Sequence, residues 1–497
     1  MSLLVARVPR RVVVALPALV VATCGVMACG DGQQAALPPT GAAALGGSAG
    51  DSASEPGGSS AVGGSGASSP PGAGAGGSLV AAGNGGAPSP PVAGSGGTGG
   101  TTPALAIVAP DTPVLDGQQL ALAKQQLRAG DAETNAALGK LLVLADAALP
   151  AGPWSVMDKS QLPPSGDKHD YMSLSRYWWP TGNGADGCPY ERRDGQTNPD
   201  TATNNWDHTR RLEAMEALYA LSAAWYFTDD ARYGERAALV AKTWFLDPET
   251  RMNPNIDFGE SIPCSVDGRS TGVLNWMEVM GEALDAVAML DTGAPGWTPA
   301  DQAAMRAWLG DFATWLTTSE LGVEEGERSN NHATWYDTGV AAIFVYLDED
   351  DRARQFVERA KGKIDRQIEN DGAQPEELAR TNTWTYSNYN LEGFCKMAFT
   401  AGHVGENLWG YTAAGGGSIP KAIAYLIDGA VGGLAAWGHE QLSPMEPSWA
   451  VSLLHAAADF AGDARAADAL TKVPEPAQGD FWPLLRVCTA AARQAPE

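Results

Sequence analysis

The chain has 497 residues, of which 44% are hydrophobic, so it is long enough to bury a large core. Its formal net charge of −25 at pH 7 argues against nucleic acid or an anionic membrane face as a partner. An anionic ligand would need a locally basic groove, because the overall field of so acidic a protein slows its approach.

The first 29 residues combine a positively charged start, a short apolar run and a small-residue end. Three arginines precede the apolar run of residues 12–21, and the small Ala28 precedes Cys29. The run is shorter than the about 20 apolar residues that a transmembrane helix needs, which favours a signal peptide over that alternative. Residues 1–29 are therefore predicted to be a lipoprotein signal peptide, with Cys29 as the lipidation site.

Residues 30–103 are almost entirely Gly, Ser, Ala and Pro, with barely any large side chain to bury. Such a segment is predicted to be a disordered linker, whose ends would lie on the order of 45 Å apart on Gly-rich coil scaling. The protein is accordingly expected to be an exported, membrane-anchored lipoprotein of the periplasm or cell surface, with its folded part in residues 104–497. We expect it to be a monomer that meets the membrane through the lipid anchor only.

The folded part shows helical periodicity in one segment after another. Apolar residues recur at three- and four-residue spacing, and no convincing run alternates in the manner of a strand. Helix pairs that return every roughly 40 to 60 residues predict an all-α fold, an (α/α) toroid or incomplete barrel of helical hairpins. The predicted helices cover residues 118–149 with a break near Gly130, then 209–227, 231–246, 275–290, 299–317, 334–347, 350–368, 388–404, 419–436 and 445–460.

Two long segments, residues 158–206 and 248–272, are rich in Gly, Pro and Asn and lack this periodicity, and the first is also rich in Trp and Tyr. Loops of this length inside a folded domain usually carry function, so we expect them at the mouth of a cavity. Each contains a cysteine, Cys188 in the first and Cys264 in the second. In an exported protein these two can pair, although free thiols are an equal alternative.

The first polar cluster, Asn330, Asn331 and His332, precedes an apolar helix. Either asparagine could be a helix N-cap. Two amides and an imidazole at a helix start also suit an anion, because free N–H groups and the helix dipole point there.

The second cluster covers residues 371–391 and contains Arg380, Trp384, Tyr386 and Tyr389. The aromatic residues could equally be packing residues. Together, however, the two clusters suit β-elimination from a uronic-acid polymer. That reaction requires neutralising the C6 carboxylate, removing the C5 proton and protonating the leaving O4. Amides, an arginine and an imidazole serve the first need. A tyrosine serves the others if its pKa falls from about 10, and Arg380 would act in that direction.

Both clusters and several upstream runs resemble the alginate lyase family over residues 154–411. This family comprises (α/α) toroid enzymes that act on alginate and related polyuronides. The matching runs include Asp170-Tyr171-Met172-Ser173, Tyr177-Trp178-Trp179-Pro180, Arg251-Met252-Asn253-Pro254-Asn255, Asn330-Asn331-His332, Gln374-Pro375-x-Glu377-Leu378-x-Arg380 and Tyr386-x-x-Tyr389-x-Leu391.

The resemblance implies a polysaccharide lyase with an anionic polysaccharide as its partner. By similarity, Asn331 and Arg380 neutralise the substrate carboxylate, and His332 assists there or acts as a base. Tyr386 is the implied catalytic acid and base, with Tyr389 as the alternative. The form of the motifs is closer to a branch that includes glucuronan-active members, so both alginate and glucuronan are candidate substrates.

A further set of polar and aromatic residues is predicted to bind the sugar chain, because sugar rings stack on aromatic faces. For His208 a helix-capping role is the alternative. The sequence contains no metal-ligand motif, so we expect neither a metal nor another cofactor. The predicted substrate-binding residues are Asn330, Tyr171, Arg176, Trp178, Trp179, His208, Arg269, Trp384, Tyr389 and Gln374.

Two other functions compete with the lyase. A glycoside hydrolase on the same toroid would need two carboxylates across the scissile bond, for which Asp371, Glu376 and Glu377 are candidates. A surface lipoprotein that binds glycans without cleaving them would also explain the linker and the aromatic residues.

Overall fold

The computed structural model describes residues 106–184 and 187–488, all within the unit Thr98–Glu497. The predicted signal peptide, Cys29 and the linker of residues 30–103 lie outside the described residues. Within the described ranges the structure is mostly helical. Its α-helices are α1 Gly117–Ala129, α2 Ala132–Ala148, α3 His208–Thr228, α4 Ala231–Phe245, α5 Thr271–Asp291, α6 Pro299–Thr318, α7 Glu320–Gly326, α8 Asn331–Tyr346, α9 Asp350–Gln367, α10 Pro375–Leu378, α11 Thr383–His403, α12 Ile419–Gly432, α13 Leu434–Trp437, α14 Val451–Ala461, α15 Ala464–Leu470 and α16 Trp482–Leu485.

The predicted helices agree with these bounds except at their ends. Gly130 separates α1 from α2 in the left-handed conformation, with φ of 83°, as its position in the sequence indicated. The helix predicted at 419–436 is interrupted at Gly433, where φ is 69°. Helices α8 and α11 begin three and five residues earlier than predicted, because their first turns carry polar residues that do not continue the apolar pattern.

Inner and outer helices alternate along the chain, which confirms the predicted all-α toroid. Helices α3, α5, α8 and α11 pack against one another in succession, while α4 packs on α3 and α9 packs on α8. In α8, 14 of 16 residues are buried, but in α9 only 7 of 18 are. Helix α8 therefore lies between two layers, whereas α9 exposes a polar face to solvent.

A glycine sets the distance between two inner helices. A Cβ atom at Gly339 of α8 would lie 3.1 Å from the Cα atom of Met277 on α5. The close approach of the two backbones therefore requires glycine at this position.

The two long segments contain short strands that the sequence analysis did not predict. Strand β1, Met172–Leu174, pairs in parallel with β4, Phe258–Ser261. Strand β2, Trp178–Pro180, forms an antiparallel hairpin with β3, Tyr190–Arg192. Strands of three or four residues are too short to show an alternating pattern. Through β1 and β4 the two segments are joined side by side.

Within the described ranges, two disulfides join distant parts of the chain. Cys188 pairs with Cys264, one of the two alternatives that the sequence left open, and the bond joins the β2–β3 hairpin to the segment that follows β4. Cys395 of α11 pairs with Cys488 after α16, a bond that spans 93 residues of sequence and was not predicted. No helix among the described residues has both the length and the apolar character to cross a membrane.

Candidate active site

A cavity of about 510 Å³ lies where the two long segments meet the inner helices. The first two turns of α8 and the first three turns of α5 and of α11 line it. Most of the predicted site residues line this cavity, namely Asn330, Asn331, His332, Arg380, Tyr386, Arg176, Trp178, Arg269 and Tyr389.

The cavity is locally basic, although the chain as a whole is strongly acidic. Five arginines and three glutamates line it, and each glutamate has a basic partner: Glu260 lies 3.5 Å from Arg269, Glu278 lies 3.2 Å from Arg211 and Glu392 lies 2.6 Å from Lys396. This is the basic groove that an anionic ligand of this protein requires. The arginines in its lining are Arg176, Arg192, Arg269, Arg328 and Arg380.

Asn331, the first residue of α8, is held by a buried carboxylate. Its backbone N–H and its Nδ2 donate to Oε1 and Oε2 of Glu377 at 2.8 and 2.7 Å. Burial raises the pKa of Glu377 to about 7, although the hydrogen bonds from Asn331 and the charge of Arg380 oppose this rise. The side chain of Asn330, at the N-cap position, makes no capping hydrogen bond. The capping explanation for this pair is therefore not supported.

His332 is paired with a carboxylate that the sequence analysis missed. Its Nδ1 hydrogen-bonds Oε1 of Glu325, a fully buried residue of α7. Burial of the imidazole opposes protonation, but the charge and hydrogen bond of Glu325 outweigh it and raise the pKa of His332. Because Glu325 fixes Nδ1 as the donor, Nε2 is the nitrogen left for a ligand in the cavity.

Tyr386 on the first turn of α11 lies between an arginine and a second tyrosine. Arg380 donates to its hydroxyl at 2.9 Å, and the guanidinium carbon lies 3.9 Å from the ring centroid. The hydroxyl of Tyr177 lies 2.8 Å from that of Tyr386. Burial raises the pKa of Tyr386, and so does Tyr177 while its oxygen accepts a hydrogen bond from the protonated Tyr386; together they outweigh the lowering by Arg380. Arg380 thus acts in the predicted direction, but burial keeps the hydroxyl protonated.

Tyr389 is one turn further along α11, and its hydroxyl is already bound. It donates to Oε2 of Glu278 at 2.7 Å. Burial, together with Glu278, raises the pKa of Tyr389 well above its ordinary value. Between the two tyrosines that the sequence left as alternatives, only Tyr386 has a hydroxyl beside an arginine donor.

His208 supports Arg176 from outside the cavity lining. An Nη atom of Arg176 lies 3.4 Å from Nε2 of His208, at the start of α3. Burial, followed by the charges of Arg211 and Arg176, lowers the pKa of His208 well below its ordinary value. His208 is therefore neutral and accepts a hydrogen bond from Arg176, which lines the cavity.

Three predicted substrate-binding residues lie in the core instead of the cavity. Tyr171 is fully buried with its ring edge-on to Trp276 at 5.7 Å. Trp384 is also fully buried and packs against Trp437. Gln374, 2% exposed, donates from Nε2 to a backbone carbonyl of α11. These residues position the helices around the site, which corrects their expected role as subsite walls.

Trp179 lies on the β2–β3 hairpin and is not part of the cavity lining. Its indole N–H donates to the carbonyl of Gln196, and the guanidinium of Arg193 lies 5.2 Å from its ring centroid. Within the described ranges, no group of three or more His, Cys, Asp or Glu residues is placed to hold a metal ion.

Comparisons with known proteins identify the family. The family model for alginate lyase matches residues 155–437, more than half of the chain. An alginate lyase structure from Bacteroides ovatus is 31% identical with a TM-score of 0.71, and the match covers 76% of this chain and 100% of that one. Alginate lyase A1-III from Sphingomonas species A1 is 18% identical with a TM-score of 0.50, covering 76% and 97%, a likeness of fold alone. Curated protein sequences gave no significant match. The chain therefore belongs to the alginate lyase family and is a polysaccharide lyase.

Proposed function

We propose that this lyase cleaves a polyuronide by β-elimination and leaves a 4,5-unsaturated uronate at the new chain end. The observation that carries the proposal is that Asn331, His332, Arg380 and Tyr386 line one basic cavity. They come from two separate helix starts and the turn between α10 and α11. Their convergence supplies donors for a carboxylate next to a tyrosine hydroxyl.

The first task of the site is to neutralise the C6 carboxylate of the sugar that loses its C5 proton. Arg380 and His332 offer positive charge or N–H donors, and Asn331 offers an amide. Their attraction grows as negative charge develops on the enolate-like transition state, so they lower the barrier to proton removal.

Tyr386 is the proposed acid and base. Its raised pKa keeps the hydroxyl protonated, which suits donation to the leaving O4. As a base it must first become a tyrosinate, and the donors that stabilise that charge are Arg380 at 2.9 Å and Tyr177 at 2.8 Å. In syn elimination the same tyrosine takes the C5 proton and delivers a proton to O4. His332 Nε2 is the alternative base for the other C5 epimer.

The proposed substrates are alginate, in particular polymannuronate, and glucuronan. The basic cavity supports a chain that carries a carboxylate on every sugar, and the relative from Bacteroides ovatus is named an alginate lyase. Among the described residues, the carboxylates in the cavity lining are all engaged with basic or hydroxyl partners. This arrangement offers less support to a glycoside hydrolase, which needs two carboxylates at the scissile bond.

The test is a substrate screen. Polymannuronate, polyguluronate and glucuronan are each incubated with the enzyme while ultraviolet absorbance is followed, with Tyr386→Phe as the matched control. We expect absorbance to rise with one or more of these polymers. In the variant, the rate of this rise should be lower by roughly 10²- to 10⁴-fold. New reducing ends without absorbance would indicate a hydrolase, and neither signal would indicate a binding protein.

We also propose that the enzyme is exported and anchored by lipid on Cys29, as the charged and apolar pattern of residues 1–29 indicates. The test is expression of the full chain with a radiolabelled fatty acid. The parent chain should carry the label and sediment with membranes. The Cys29→Ala variant should lose both properties while keeping lyase activity, and a labelled variant would contradict the assignment.

A further inference from the structure

The amide of Asn331 presents the wrong atom to an anionic ligand. Glu377 accepts a hydrogen bond from its Nδ2, and Oδ1 is buried without a hydrogen-bond partner. Asn331 is one of the residues that line the cavity, and Oδ1 is the end of its amide that Glu377 does not hold. A substrate carboxylate has only acceptor oxygens, and an amide oxygen cannot donate to them. This orientation therefore does not suit the proposed role of Asn331.

The cause of this orientation is the charge on Glu377. A charged carboxylate only accepts hydrogen bonds, so it turns both the backbone N–H and the Nδ2 of Asn331 towards itself. A protonated carboxyl group has one oxygen that accepts and one that donates. With the backbone N–H still bound to Oε1, a proton on Oε2 would donate to Oδ1 of Asn331. The amide would then be turned by half a rotation, and Nδ2 would face the cavity.

We propose that Glu377 takes up one proton from solvent when a polyuronate binds, and that its protonated carboxyl group turns the Asn331 amide so that Nδ2 donates to the substrate carboxylate. Glu377 is thus a positioning residue that acts through Asn331. The inference rests on the proposed function, because it needs an anionic group beside Asn331. On this proposal, substrate binding and protonation of Glu377 occur together.

The charges around Glu377 favour this coupling. Burial raises its pKa to about 7, and the two charged groups that oppose this rise are Arg380, after α10, and His332, on α8. A bound carboxylate neutralises these two cations and adds negative charge, so it raises the proton affinity of Glu377 further. On the other side, Gln374 at the start of α10 hydrogen-bonds two groups of α11, the backbone carbonyl of Ser387 and the side-chain amide of Asn390. Both groups are uncharged, so they do not change with pH.

The proposal predicts how affinity changes with pH. Above about pH 7 the free enzyme has to gain a proton on binding, so affinity should fall by about tenfold for each further pH unit. His332 also titrates, so the variant Glu377→Gln is needed to separate the two groups. Glutamine has the size of glutamate, its Oε1 can accept the backbone N–H, and its Nε2 can donate to Oδ1. It therefore imitates the protonated carboxyl group at every pH.

The experiment is calorimetric titration with a mannuronate tetrasaccharide and a glucuronate tetrasaccharide. The Tyr386→Phe variant is compared with the Tyr386→Phe, Glu377→Gln double variant, so that neither cleaves the probe. Each is titrated from pH 6 to pH 9 in two buffers of different ionisation enthalpy. We expect the single variant to take up close to one more proton than the double variant at pH 8, and its Kd to rise more steeply with pH.

Equal proton uptake and equal pH dependence in the two variants would overturn the proposal, and so would loss of binding in the double variant at every pH. Difference infrared spectroscopy of the Tyr386→Phe variant gives a second reading that needs no substitution at position 377. A carboxylic acid C=O band should appear on binding, and its absence would also overturn the proposal. Binding of neither tetrasaccharide to the single variant would contradict the proposed function itself.

Discussion

The hydroxyl oxygens of Tyr177 and Tyr386 lie 2.8 Å apart. Tyr177 precedes β2 in the first long segment, whereas Tyr386 belongs to α11 of the inner layer. The contact thus joins a loop-borne residue to the helix that carries the proposed acid and base. A hydroxyl at this distance donates to a tyrosinate more strongly than to a neutral tyrosine, because hydrogen bonds to a charged acceptor are stronger.

The first prediction concerns this pair. Replacing Tyr177 with Phe removes one of the two donors to the Tyr386 oxygen and leaves Arg380 as the other. We expect kcat to fall by about tenfold, which corresponds to one charge-assisted hydrogen bond of about 1.5 kcal/mol. Tyr386→Phe should cost far more. The rates are measured from the ultraviolet absorbance of the product, and an unchanged kcat in Tyr177→Phe would exclude a role for this hydroxyl in the chemical step.

The second prediction separates the two tyrosines of α11. The hydroxyl of Tyr389 donates to Glu278 at 2.7 Å, and no arginine of the described residues donates to it. We therefore expect Tyr389→Phe to keep kcat within a few-fold of the parent enzyme, while Tyr386→Phe loses it. The two variants each lose one hydroxyl from the same helix and serve as controls for each other. If Tyr389→Phe were the inactive one, the proposed acid and base would be misassigned.

Helix positions could be predicted from the sequence because apolar periodicity is a local property. It failed at the starts of α8 and α11, where Asn331 and Thr383 begin the helices. There the helix turns towards a polar cavity, so the first residues do not belong to an apolar face. The catalytic candidates lie at these same helix starts. Motif resemblance found them, whereas periodicity left them out.

The supporting residues were harder to predict because their roles depend on burial. Glu325 belongs to the charged run of residues 324–328, a pattern typical of an exposed segment, yet it is fully buried beside His332. Tyr171 and Trp384 were predicted to bind the sugar chain, yet both are fully buried. Residue type does not indicate which side of an element faces the core, since aromatic side chains suit a packed interior and a sugar-binding wall equally. No local pattern indicates that pair, since Glu325 lies at the end of α7 and His332 at the start of α8.

The third prediction concerns the protonation of His332. Glu325 raises the pKa of His332, so Glu325→Gln should lower that pKa. The neutral amide of glutamine has no negative charge to stabilise the protonated imidazole. The chain has six histidines, so side-chain NMR titration can follow each of them. The matched control is Glu324→Gln, which removes a half-exposed partner of Arg328. That control should leave His332 unchanged, and an equal effect in both variants would contradict the pairing.

The same pair has a consequence for stability. A histidine whose pKa is raised by folding stabilises the native state below its unfolded value of about 6.5, and this contribution is lost as pH rises through the folded pKa. Glu325→Gln should therefore lower the free energy of unfolding more at pH 6 than at pH 9. Urea unfolding at the two pH values measures the difference. An effect of the same size at both pH values would mean that the charge of His332 does not contribute.

The last prediction concerns the Cys188–Cys264 disulfide, which joins the β2–β3 hairpin to the segment after β4. These two segments supply Tyr177, Trp178 and Arg269 to the cavity, so removing the bond should loosen one wall of the site. We expect the double variant Cys188→Ser, Cys264→Ser to raise KM and to lose about 2–4 kcal/mol of stability.

The matched control is Cys395→Ser, Cys488→Ser, whose bond joins α11 to the chain after α16. It should lose comparable stability with KM unchanged, because among the described residues none beyond Glu392 lines the cavity, so this bond holds no wall of the site. A rise in KM of the same size in the control would mean that general destabilisation, and not the position of the hairpin, accounts for the effect.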